Sequence, residues 1–192
     1  MDYHCDYDIK RNILLVMQKY FFILINIILG SFLLFTYYRG VTSNSDIAPK
    51  LWGGVPPYLT DYIVASMFIG AIGYFFFTYY FIFKIDHNTV LFLKKFNFSF
   101  IIILYLLILI PSCFWIDLSL LYIKSGDPLL WKAIVGILYT VGISSILLLI
   151  SLLSINPSNS SILYKLAICG CACFSFHTMF LDGLLWTILF HK

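Results

Sequence analysis

Charge is the scarcest thing in this sequence. Only 11% of its 192 residues are Asp, Glu, Lys or Arg, against 61% hydrophobic, and the mean hydropathy is +0.95. A soluble domain carries roughly 25% charged residues. So little charge excludes a surface that faces mainly water, and the main solvent must be lipid. The net charge of +3 is spread thinly over the connecting segments. No basic run is dense enough to hold nucleic acid.

Other absences narrow the reading further. The five cysteines are an odd number, and Cys169, Cys171 and Cys173 are too close along one helix to reach disulfide geometry. All five, Cys5 and Cys113 included, are expected to be reduced. No small-residue cleavage site follows the first apolar run, which ends in Tyr37, Tyr38 and Arg39, so that run is expected to be retained. There is no internal repeat of the kind that marks inverted-repeat transporters. There is no nucleophile elbow, no His-rich cluster and no carboxylate pair within one span. No catalytic residue, cofactor or metal is therefore assigned, and an enzyme acting on lipid ranks last among the readings.

What is present is five long apolar runs, at about 20-38, 62-83, 98-116, 129-155 and 162-190. About 20 apolar residues suffice for a helix to cross the hydrocarbon of a bilayer. The pattern predicts an all-α integral membrane protein, a five-transmembrane-helix bundle in one membrane domain over 1-192. The first outer loop, Arg39 to Asp61, is Pro/Gly-rich (Pro49, Gly53, Gly54, Pro56, Pro57) and is predicted to be non-helical. It reads as a surface connector or as a cap over the helices, with Trp52, Tyr58 and Tyr62 at headgroup level. Ser66, Gly70 and Gly73 share one face of span two and predict a close helix contact there. The piece Val90 to Phe96 is expected along the interface. Pro111 is expected to bend or break span three near its end. Asp127 and Pro128 read as the cap and first residue of span four. Asn156-Pro157 reads as a turn. Seven Lys and Arg residues lie on the side of the N-terminus and five on the other. This places the N-terminus inside and the C-terminus outside. Asn159 would then be cytoplasmic and unmodified.

Span five carries the chemistry. At 100° per residue, Cys169, Cys173 and His177 share one face, and Cys171, Ser175, Thr178 and Asp182 share another. The first stripe has soft-ligand chemistry, but its ends lie roughly 12 Å apart at 1.5 Å rise per residue, too far to enclose an ion. The second is small and polar, the pattern of a bundle-facing surface, and ends on Asp182. A carboxylate at that depth marks a candidate site. Its expected partners are Ser112, Tyr139, Thr140 and Ser66, with Arg39 as counter-ion. Trp115 and Trp52 complete a predicted ligand-binding set under the outer loop. On the α-helical wheel His177 and Asp182 fall on different faces, so they are not expected to pair.

Five spans with Trp52 and Pro56-Pro57 ahead of span two resemble the translocator-protein (peripheral benzodiazepine receptor) family, over Pro49 to Tyr62. That resemblance implies a five-helix bundle able to bind porphyrins and sterols. The family's Asn- and Trp-rich later spans are missing here, and span five contains no Asn. The expected partners are the lipid bilayer, a small amphiphilic ligand, and a membrane-protein partner or second copy. The functions to separate are ligand binding or movement within the bundle and a structural or assembly role.

Overall fold

In the computed structural model the described residues are 2–86, 90–155 and 161–191, with only the backbone described for 2–15. His87, Asn156-Pro157, Asn159 and Lys192 lie outside them. The described residues are helical and form no named strand. The helices are α1 (Asp2–Thr42), α2 (Pro57–Phe83), α3 (Phe98–Ser125), α4 (Pro128–Ser154) and α5 (Ile162–Ser175), the last continued by a π-helical segment (Phe176–Trp186) and the short α6 (Thr187–Leu189). Five runs are long and apolar enough to cross a membrane: Val16–Thr42, Pro57–Phe83, Phe98–Ser125, Pro128–Ser154 and Ile162–Leu189.

The packing is that of a bundle. α1 lies on α3, α3 on α4, and α4 on α5 and the π segment, while α2 packs closely on α5. α1 and α2 scarcely touch. Their polar link is the Tyr74 hydroxyl donating to Asn26 Oδ1 at 2.5 Å. The α2–α5 contact follows from the predicted small-residue face. Gly73 and Gly170 meet backbone to backbone, and a Cβ on Gly73 would come within 2.7 Å of the Gly170 Cα. Gly70 lies against Phe174 and His177. The main core is aromatic, with Phe22, Phe77, Phe81, Phe98 and Tyr105 closely packed. Edge-to-face rings such as Phe22 on Tyr105, 4.5 Å between centroids, add directional attraction to dispersion.

Two expectations about boundaries are corrected, for α3 and for α1. Pro111 does not end α3, which runs on to Ser125. Proline removes one N–H, and packing beyond it compensates, for Cys113, Ile116, Ser119 and Leu120 are all buried. The gap left between the expected spans 98-116 and 129-155 therefore shrinks to Gly126 and Asp127. Gly126 takes the left-handed conformation at φ 67°, and Asp127 Oδ1 accepts from Leu129 N at 2.8 Å, with Pro128 opening α4 as predicted. The segment around Val90 to Phe96 is a tight turn closed by Phe92 and Phe96, and Phe92 is driven into the core. The helix of α1 begins well before the expected span, at Asp2.

The loop between α1 and α2 is seated on the helices as a cap. A 3-10 turn spans Ala48–Trp52, and Leu51 and Val55 are buried. Trp186 Nε1 donates to Leu51 O at 2.8 Å, and Gly54 N donates to Phe190 O at 3.1 Å. Gly53, at φ 53°, lies against the Phe190 backbone where a side chain would clash. The cap covers a cluster of Val55, Ile63, Ile134, Leu138 and Trp186, with Trp52 packed against it.

Candidate functional site

The π segment departs from the expected α-helix and reorganises span five. In a π-helix the backbone bonds run from i to i+5, and the wider turn brings residues five apart much nearer to one face than an α-helix does. His177 and Asp182 are such a pair. His177 Nε2 stands 3.4 Å from Asp182 Oδ2. The α-helical wheel assigned them to different faces; the π turn overturns that assignment. Long π stretches are rare and often accompany functional sites.

Side-chain hydroxyls support this register at both ends. Thr178 Oγ1 donates toward Phe174 O at 3.0 Å and lies 3.4 Å from Ser175 O. Thr187 Oγ1 does the same for Gly183 O at 2.6 Å and Leu184 O at 3.0 Å. The segment also leans on α4, where Gly142 leaves room for Met179. Small residues and spare hydroxyls thus let the helix widen here without stranding its carbonyls.

The small-polar stripe splits in two. Its first part packs against α4, with Ser175 Oγ donating to Ser145 O at 2.8 Å and the Ser145 and Thr178 hydroxyls bonded at 2.8 Å. Cys171 is buried beside them. Its last member, Asp182, lies apart from these bonds and turns to His177. Of the thiol stripe, Cys169 is exposed and Cys173 half-buried. Among the described residues no three His, Cys or Asp side chains gather as a metal-binding set.

Around the pair the setting is aromatic. Asp182 and Cys113 lie within electrostatic reach of the Tyr37 hydroxyl. The Tyr37 ring stacks on Trp115 at 5.7 Å, and Trp115 meets Trp186 edge-on at 5.7 Å. Trp131 and Phe190 extend this cluster. All four tryptophans, Trp52, Trp115, Trp131 and Trp186, therefore belong to one end of the bundle. Three buried polar atoms have no hydrogen-bond partner among the described residues: His177 Nδ1, Trp115 Nε1 and Ser119 Oγ. Buried polar groups are nearly always bonded, so each of these atoms has hydrogen-bonding capacity left for water or another group.

The predicted partners of Asp182 are placed elsewhere. Arg39 forms its ion pair with Asp117 and is not the counter-ion of Asp182. Ser112 donates to Ile108 O and Thr140 to Gly136 O, each within its own helix. Tyr139 and Ser66 are half-buried and make no polar contact with Asp182 among the described residues. Trp115 and Trp52 lie at the capped end. Tyr37, Ser119 and Trp186 had no signal beyond composition. Each looks like an ordinary span residue until α1 and α3 are docked. No protein-family model, curated protein or solved structure matches the chain.

Proposed function

We propose that the chain is a multi-pass integral membrane protein, one domain of five spans, that binds or moves a small or amphiphilic ligand at the His177–Asp182 pair. The single observation behind this reading is that pair, aligned by a π-helix inside an apolar span. Ionisable side chains at such depth are costly and are kept where they act. Access from the lipid side fits the packing. His177 lies on Gly70 of α2 and Asp182 near Tyr37 of α1, and these two helices scarcely touch. A ligand entering between them would meet the carboxylate, the imidazole and the Tyr37–Trp115 stack. The N-terminus is assigned to the inner side and the C-terminus to the outer.

A structural or assembly role is the second reading. It is favoured by Ser145, Thr178 and Ser175, whose hydroxyls bond helix to helix, and by the large uncovered face of α1.

The test uses the four tryptophans as reporters. The full chain in lipid nanodiscs is titrated with a porphyrin and with a sterol, the ligand classes implied by the loop resemblance. Saturable quenching or a spectral shift, lost in Asp182→Asn with helicity and melting unchanged, is the expected result. Loss of melting temperature in Asp182→Asn with no ligand effect in either protein would assign the pair to packing.

A further inference from the structure

We propose that His177 and Asp182 form a single proton-binding site, taking up one proton from water and sharing it between Nε2 and Oδ2. The inference rests on the reading of this pair as the site, and it names the ligand for which no cavity is needed.

The geometry carries it. The two atoms stand 3.4 Å apart, with the His177 side chain 9% and the Asp182 side chain 33% exposed. His177 Nδ1 is buried without a partner, so the ring is held on one side only, by the carboxylate. The charge balance selects one proton. With none bound, the pair is a carboxylate and a neutral ring, net −1. With one bound, it is either carboxyl and imidazole or carboxylate and imidazolium, net zero. With two bound, it is net +1. Net charge at this depth is expensive in both directions, so the one-proton form is the stable occupant.

The neighbours do not alter that count. From α1 the titratable group near Asp182 is Tyr37, and Cys113 of α3 lies within electrostatic reach of that same hydroxyl. α2 presents Gly70, and α4 presents Gly142 and Ser145. Arg39, the expected counter-ion, is paired with Asp117. No fixed positive charge is left among these groups to neutralise Asp182, so a mobile proton does so. Asp182 is the more exposed of the two side chains.

The test is a magnetic-resonance titration of the full chain in nanodiscs, labelled with carbon-13 in the Asp carboxyls and nitrogen-15 in the His rings. Signals are assigned by difference with Asp182→Asn and His177→Gln. Over roughly pH 4 to 9, where Asp and His titrate, the Asp182 carboxyl and the His177 ring are expected to shift in one step with a common midpoint. In either variant the remaining partner no longer follows that midpoint. Separate midpoints in the wild-type chain, or no titration of either group, would overturn the proposal. If the variants fail to fold, the same two signals are assigned by sequential correlations in a uniformly carbon-13 and nitrogen-15 labelled chain. Because no porphyrin or sterol is present, failure here leaves the ligand reading standing, and failure of that reading leaves this titration unchanged.

Discussion

Asp182 illustrates how one residue's surroundings can separate two roles. Its neighbours along the stripe, Ser175 and Thr178, use their hydroxyls to join α5 and the π segment to α4. Removing one such bond should cost stability and nothing else. Ser175→Ala removes the bond to Ser145 O, so a loss of about 0.6 kcal/mol is expected, typical for polar contacts between membrane helices. Thermal melting in detergent checks it, with unchanged porphyrin or sterol response as the companion result. The glycines make the opposite point. Gly73→Val would push a side chain into the Gly170 backbone, which cannot give way as a flexible side chain would. A loss of at least about 1–3 kcal/mol is expected from such overpacking. Gly30→Val serves as control, because nothing lies within 4 Å of a Cβ there.

At the scale of elements, the long helices were legible because length and hydropathy are local properties of the chain. So were the caps. Asp127 followed by Pro128 opens α4 as its chemistry dictates, and Asp127→Ala should cost about 1 kcal/mol. The face carrying Gly70 and Gly73 was readable too, since small residues at helical spacing serve one purpose. The π segment was not readable. Nothing in Phe176–Trp186 forbids an α-helix, and the wider turn depends on Thr178, Thr187 and Gly142 meeting their surroundings. The consequence was an error about chemistry: a wheel drawn at one fixed angle separated the two residues that the backbone pairs. The Pro111 boundary failed for a related reason, because tertiary packing holds α3 together past a residue that local rules treat as a stop. The cap was half legible. Its prolines and glycines announced a loop, but not that Trp186, 135 positions away, would hold Leu51. Trp186→Phe keeps the ring packing and removes that bond. Limited proteolysis should then cut the segment between α1 and α2 faster than in the wild type, while unchanged cleavage would show that the bond does not secure the cap.

At the scale of the molecule, the bundle is asymmetric along its length. One end gathers every tryptophan, the docked loop and the Arg39–Asp117 pair. The other is closed by Phe92 and by Tyr164, whose hydroxyl bonds the last carbonyls of α4 at Leu152 and Ile155. Under the proposed orientation, with the N-terminus inside, the tryptophan end would face outward. A membrane-impermeant quencher added outside right-side-out vesicles should therefore reach the tryptophan emission, and quenching only from the lumen would reverse the assigned orientation. The same asymmetry puts the His177–Asp182 pair beside the open seam between α1 and α2, not in the sealed half.

The account depends most on the pairing that the π register creates. A dipolar-coupling measurement between the His177 ring nitrogens and the Asp182 carboxyl carbon, on the full chain in lipid bilayers, addresses it directly. Strong dephasing, consistent with the 3.4 Å separation of Nε2 and Oδ2, is the predicted result. An absence of dephasing, as a regular α-helix with the two residues on different faces would give, would contradict it.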